Sequence, residues 1–242
     1  MTMRGAEGVL SELPEGWSWM RLKMVASILH SNVDKHTVEG EEPVLLCNYV
    51  DVYKNDSITS DLDYMSATAT PAQIKRFSLR EGDVVITKDS ETPEDIAVPA
   101  YVEASGAGLV CGYHLSILRA LPKVMTGRFL YWAVLSEPVS AGFSMRAQGI
   151  TRFGLTIGAT GDVRIPVPPL KQQRSIAQFL DAECLKLDAM CAQMAGPNWK
   201  QTVDTTTVGG LIGRMLERRA ALIAAAVSGR LEVAANVAAQ AA

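Results

Sequence analysis

No run of eighteen or more apolar residues occurs in this 242-residue chain, which excludes a membrane-spanning helix. The opening "MTMRGAEGVLSELPEGW" has one arginine but no apolar core behind it, so it lacks the pattern of a secretory leader. Cysteine is scarce. Cys47, Cys111, Cys184 and Cys191 show no paired spacing, and His30, His36 and His114 complete no zinc set with them. Cys184 and Cys191 lie seven apart, on one face of a helical pattern, which suits buried thiols. These absences predict reduced core thiols, no bound metal, no cofactor and a soluble, cytoplasmic protein.

An excess of positive charge is also missing. The net charge is −3, an awkward value for a nucleic-acid binder, but it is unevenly spread. Residues 34–103 hold 15 acidic and 6 basic residues, whereas 104–170 hold 6 basic residues (Arg119, Lys123, Arg128, Arg146, Arg152, Arg164) and 2 acidic ones. A phosphate-binding face needs local positive charge rather than a basic whole. On charge alone, solvated faces that simply vary in charge are the favoured explanation.

The usual catalytic signatures are absent too. An adenine-N6 methyltransferase needs Asn or Asp, two prolines and an aromatic ring to hold a flipped base. The only Pro-Pro here is "VPPL", with Val167 and Leu170 at the outer positions. Restriction nucleases commonly place an acidic residue two before a lysine, but Lys88 is preceded there by Ile86. "GAGLVCG" (106–112) has glycines but neither the Lys-Ser/Thr of a phosphate loop nor GxGxxG spacing. The acidic stretch "KDSETPED" (88–95) lacks calcium-loop spacing and reads as a solvated loop, with Lys88 and Ser90 as polar groups at its edge.

What is present divides the chain. Residues 14–170 carry short β-rich runs, "EPVLLCNYVDV" (42–52), "GDVVITK" (82–88), "IAVPAYVE" (96–103) and "GYHLSILRA" (112–120), bounded by Gly, Pro and Asp. Helices are expected over 126–139, stopped by Pro138, and within 69–79, with Pro71 in the first turn. "IPVPPLKQQ" (165–173) reads as an extended strut. Beyond it Ile176, Leu180, Cys184, Leu187, Cys191 and Met194 recur at spacings of four and three, a coiled-coil-like seam ended by Gly196-Pro197. After the polar "NWKQTVDTTT", a second helix is predicted from about Val208 to Ser228, with Gly229 as its cap. The expected fold is an α/β (α+β) head over 1–170, followed by long helices at 171–232 forming a coiled-coil-like stalk, with a disordered tail at 233–242. Ile176, Leu180, Leu187, Leu216 and Ile223 carry the stripes. These can pair as a hairpin within the chain or with helices of another chain.

Three stretches then resemble one family. "RIPVPPLKQQRSIAQFLDAECLKLD" (164–188) is similar to the signature of type I restriction-modification specificity subunits, in which a proline-rich strut runs into Glu/Gln-Gln and an Ile- and Leu-bearing helix. Pro166, Pro168, Pro169, Leu170, Gln172, Gln173, Ile176, Leu180 and Asp188 match. "LPEGWSWMRL" (13–22) resembles the family's opening, and "MLERRAALIAAAVSGRL" (215–231) its closing helix and cap. A looser fourth likeness is "AQGITRFGL" (147–155), before the strut. The resemblance implies a non-catalytic target recognition domain that reads half of a bipartite site in double-stranded DNA. It also implies helices that dock methyltransferase subunits, which recruit the restriction subunit. Full subunits have two heads, so one head implies a half-subunit acting as a homodimer. A truncated fragment that only docks is the alternative. Two departures stand out: the interruption from Gly196 to Thr207, and the net negative charge.

Arg146, Gln148, Thr151 and Arg152 offer two guanidinium forks, an amide and a hydroxyl within seven residues. Arg matches guanine and Gln matches adenine in the major groove, although either Arg could instead bind phosphate or pair with a carboxylate of the head. With Lys88 and Ser90, they are the expected DNA-contacting residues.

Overall fold

Apolar runs punctuated by turn residues set the element order. The computed structural model describes residues 12–196, 199–202, 210–231 and 233. In chain order the head contains β1 (Ser18–Arg21), β2 (Ala26–His30), β3 (Glu42–Cys47), α1 (Tyr49–Lys54), β4 (Ser57–Ile58), β5 (Met65–Ala69), α2 (Pro71–Phe77), β6 (Val84–Thr87), β7 (Asp89–Ser90), β8 (Pro99–Val102), β9 (Leu109–Cys111) and β10 (Leu115–Ala120). There follow α3 (Gly127–Leu135), α4 (Glu137–Ser144), β11 (Phe153–Gly154), α5 (Ile157–Gly161), β12 (Arg164–Val167), α6 (Leu170–Ala195), α7 (Trp199–Thr202) and α8 (Leu211–Val227).

The main sheet has the order β2-β10-β6-β8-β4, antiparallel except for the β4/β8 pair. A three-stranded sheet, β5-β3-β9, packs on one face of it, and α3, α6 and α8 cover the other. β6 explains why both coverings are needed. Its run Val84-Val85-Ile86 is fully buried, and alternation sends Val84 and Ile86 to the helical side and Val85 to the small sheet. A strand apolar on both faces must be covered on both.

The helical layer packs directly on the head. Phe129, Leu130 and Trp132 of α3 share one core with Ile176, Leu180 and Cys184 of α6 and with Ile223, Ala226 and Val227 of α8. The strut expected over 165–173 is shorter than that: β12 ends at Val167, two prolines follow, and Leu170–Gln173 already form the first turn of α6, with the core running across the junction. α6 and α8 pair as a hairpin within the chain. Of the two pairings open to the stripe residues, the hairpin within the chain takes up three: Leu180 is 0% exposed, and Ile176 and Ile223 are likewise buried by their own chain. Leu216 packs beside Cys191, Trp199 and Met215, and Leu187 lines an open groove between α6 and α8. All four cysteines are free and buried.

Three local expectations change. The run at 42–52 is a strand only to Cys47. Asn48 then caps α1, accepting the Val50 N–H at 2.9 Å while Asp51 accepts the Asn48 N–H at 2.8 Å. Such reciprocal capping overrides the β-preference of the following valines. Pro138 does more than end α3: it occupies the first turn of α4, where its missing N–H costs nothing. Trp199–Thr202 is a short helix within the polar stretch, and Gly196 ends α6 with φ +87°. The expected start of the second helix at Val208, Pro197 and the tail from 234 lie outside the described residues.

Candidate nucleic-acid interface

Several chain segments end together at one edge of the main sheet. β6 stops at Thr87 opposite Leu115, where β10 begins, and Ser116 lies opposite His30, where β2 ends. Lys88, Tyr113 and His114 are thereby neighbours. The Lys88 ammonium donates to the Ser31 carbonyl at 2.9 Å and sits 4.3 Å from the centre of the Tyr113 ring. Burial lowers the Lys88 pKa, although Asp89 and Cys111 oppose it. Nearby, burial and then the Lys88 charge depress His30 to about 4.

β7 pairs antiparallel with β11, with Ser90 opposite Phe153 and Asp89 opposite Gly154. The two stretches singled out from sequence, 88–90 and 146–152, thus meet at this edge. Between Gln148 and Gly154 the chain makes a tight loop, closed by reciprocal backbone bonds of 3.0 and 2.8 Å. Gly149 has φ +151°, and a Cβ there would stand 2.0 Å from the Arg152 carbonyl oxygen, so only glycine fits. This tight closure projects Ile150, which is 97% exposed, with Gln148, Thr151 and Arg152 also exposed.

The expected contact residues divide. Arg152 donates through Nη2 to Asp89 Oδ1, yet its side chain stays 59% exposed. Asp89 raises the Arg152 pKa, first by hydrogen bonding and then by its charge. Arg146 folds back, donating through Nη1 to the Gly142 carbonyl at 2.9 Å, a position that offsets the carbonyl-rich end of α4. Ser90 is buried, its hydroxyl engaged with the Thr92 amide, Tyr49 and Asp95, which removes it from the surface set. The basic excess of 104–170 is partly spent inside the fold. Arg119 pairs with buried Asp83, and Arg128 with Asp181 and Glu103.

Sequence reading missed the members that complete the edge. His114 Nδ1 lies 2.9 Å from Asp89 Oδ2, and its ring meets Tyr113 edge-on with centroids 5.1 Å apart. Tyr49 and Tyr53 stack at 5.4 Å and, with Asp89, Glu91, Asp95 and Arg152, line a cleft of about 220 Å³. Burial pushes the Asp95 carboxyl up. The available signal was positional: Lys88 directly follows one buried strand, and Tyr113-His114 directly precede the next. Among the described residues no group of three or more His, Cys, Asp or Glu has the geometry to hold a metal ion. The edge therefore offers a guanidinium, an imidazole, exposed rings and a projecting loop, the groups that contact phosphates and base edges.

The three family-like stretches converge at the opposite side, where strut meets helix. The Trp17 indole N–H donates to Gln172 Oε1 at 2.7 Å. Gln173 is fully buried and saturated. Its amide donates to the carbonyls of Val124 and Pro168, and its oxygen accepts the Thr126 N–H, all at 2.8 Å. Gly229 caps α8 with φ +73°, and a Cβ there would fall 2.4 Å from Pro14.

No protein-family model and no curated protein matches the chain. Solved structures do. A chain from the type I R-M system, in a structure concerned with complex assembly and conformational transition, has 20% identity and a TM-score of 0.57, with 93% of this chain and 49% of that one covered. The HsdS subunit from Thermoanaerobacter tengcongensis has 19% identity and a TM-score of 0.51, with 93% and 48% covered. The chain spans about half the length of each. Head and long helix together have the fold of one half of a type I specificity subunit.

Proposed function

We propose that the chain is the DNA-recognition half-subunit of a type I restriction-modification complex. It reads one half of a bipartite site and directs adenine methylation and restriction by partner subunits, and has no catalytic centre of its own. The observation that carries this reading is the coverage: nearly the whole chain matches, and it matches about half of a specificity subunit. Two copies related by a two-fold axis would supply the missing half, the commonest closed arrangement of identical chains. Half-sites read by identical heads would then be inverted repeats at a fixed spacing. The open groove along α6 and α8, lined by Leu187, Met190, Leu211 and Leu222, supports a helical partner on that side. A complex that acts on chromosomal DNA belongs in the cytoplasm; no helix among the described residues is long and apolar enough to cross a membrane.

The test is co-expression with a methyltransferase subunit and genome-wide mapping of modified adenines. A palindromic bipartite motif that depends on this chain is expected. A non-palindromic motif points to a second, different head. The internal pairing of Arg119 and Arg128 favours one rival, a docking fragment that no longer reads DNA, for which complex formation without any new motif is the diagnostic result.

A further inference from the structure

Asp89 is a carboxylate on the face proposed to meet DNA, where its charge opposes phosphate. Its side chain is only 15% exposed, and backbone pairing of β7 with β11 fixes its position. One oxygen accepts from Arg152 Nη2, and the other lies 2.9 Å from His114 Nδ1. His114 is itself braced against Tyr113, over which Lys88 sits. Both polar contacts of the Arg152 side chain, to Asp89 and to His114 Nδ1 at 3.2 Å, are made by Nη2. The Nε and Nη1 donors are left for another acceptor. An exposed arginine otherwise loses rotamer freedom on ordering, and its fork reads bases only when oriented.

We propose that Asp89 is a specificity-determining positioning residue, which holds the Arg152 guanidinium oriented so that its remaining donors read a base edge, guanine by preference, while its own charge weakens attraction to the phosphates of any duplex. This rests on the DNA-reading function proposed above. An arginine tethered in this way gives up non-specific attraction in exchange for discrimination. A carboxylate with a purely structural role would affect both kinds of binding alike.

The experiment uses the complex of this chain with its methyltransferase subunit. It compares affinity for duplexes bearing the mapped motif with affinity for unrelated duplexes of equal length. In Asp89→Asn, which keeps shape and loses charge, unrelated DNA binds more tightly and the target-to-unrelated ratio falls about fivefold or more, the loss of one base contact. Arg152→Lys, which keeps charge and loses the fork, lowers the same ratio without tightening unrelated binding. In an Arg152→Ala background, Asp89→Asn no longer changes the ratio. A preference in the wild type together with an unchanged ratio in Asp89→Asn, or an effect that persists without Arg152, overturns this inference alone. A wild-type complex with no preference for any duplex overturns the DNA-reading function as well.

Discussion

The sheet edge around Arg152 and the junction between strut and helices are both rich in polar side chains, but they use them in opposite ways. At the junction most of the partners are engaged and at least partly sheltered. Gln173 satisfies three backbone groups, and Asp181 accepts from Arg128 Nε at 2.8 Å and Trp132 Nε1 at 2.7 Å. Lys200 bridges Asp56 of the head and Asp188 of α6, and Arg219 of α8 joins the same pair. Asp188 Oδ1 and Arg219 Nε are buried and face each other at 3.7 Å, an ion pair without a hydrogen bond. At the sheet edge, Arg152, Gln148 and Thr151 remain exposed and only partly engaged. Saturated polar groups fix how head and helices meet, and part-engaged ones are free to meet something else. The distinction is energetic: a buried polar group that loses its partner costs about 1–3 kcal/mol, whereas an exposed one is resolvated.

The largest effect is therefore expected at Gln173. Gln173→Leu strands two carbonyls and the Thr126 N–H at the base of α3, and should destabilise the chain by about 3 kcal/mol or more, read as a lower urea midpoint at unchanged slope. Arg152→Ala should behave conversely. Stability changes by no more than about 1 kcal/mol, because Arg152 is exposed and Asp89 keeps its contact with His114, while binding to the mapped motif weakens by about 1–3 kcal/mol with relaxed selection at one position. Equal effects of both variants on stability would erase the contrast between the two regions.

Acid offers a second way to break the comparison, at the sheet edge. His30 is held at about 4, against an ordinary 6.5, by burial and by Lys88, so the folded chain keeps it neutral where the unfolded chain protonates it. The unfolded state binds more protons between those values, and this contribution to stability is complete above about 6.5 and lost as pH falls toward 4. The difference in urea midpoint between the wild type and His30→Gln, followed from pH 7.5 to 4, should show that loss, since the carboxylates titrate in both proteins. A constant difference would mean that His30 is solvated in the same way folded and unfolded.

Periodicity made much of the frame legible. The helical seam from Ile176 to Met194 and the buried strands at 84–87 and 115–120 follow from spacing, and the cap at Gly229 from residue type, whereas the first turn of the long helix, Leu170–Gln173, read as strut. The two small cores do not, because the same run Val84-Val85-Ile86 suits any strand covered on both faces. The first turns of α1 and α4 were hidden by local chemistry: Asn48 read as part of a strand and Pro138 as a stop signal, when each in fact starts a helix. The candidate site was half legible. Arg152 stood out by residue type. Asp89 and His114, which complete its surroundings, lie 63 and 38 residues away and meet it only through pairing of strands two residues long.

The smallest effect on stability is expected on the open side of the helical hairpin, where it sharpens the same contrast. Leu180 and Met190 lie on one helix ten residues apart, but Leu180 is 0% exposed and Met190, which lines the groove, 46% exposed. Leu180→Ala should cost about 2–5 kcal/mol, because the head cannot collapse into the space it leaves. Met190→Asp removes little that is packed in the single chain, and should move stability by no more than about 0.5 kcal/mol. If two chains join through this side of α6 and α8, the same change places a charge in an apolar seam, where burying it without a partner is strongly unfavourable. Sedimentation equilibrium of the wild type and Met190→Asp, alone and with the methyltransferase subunit, separates the cases. Dissociation of a two-fold assembly by Met190→Asp, with an unchanged urea midpoint, is the expected result. A wild-type assembly that survives the substitution would place the seam elsewhere, on the methyltransferase or on a surface away from these helices.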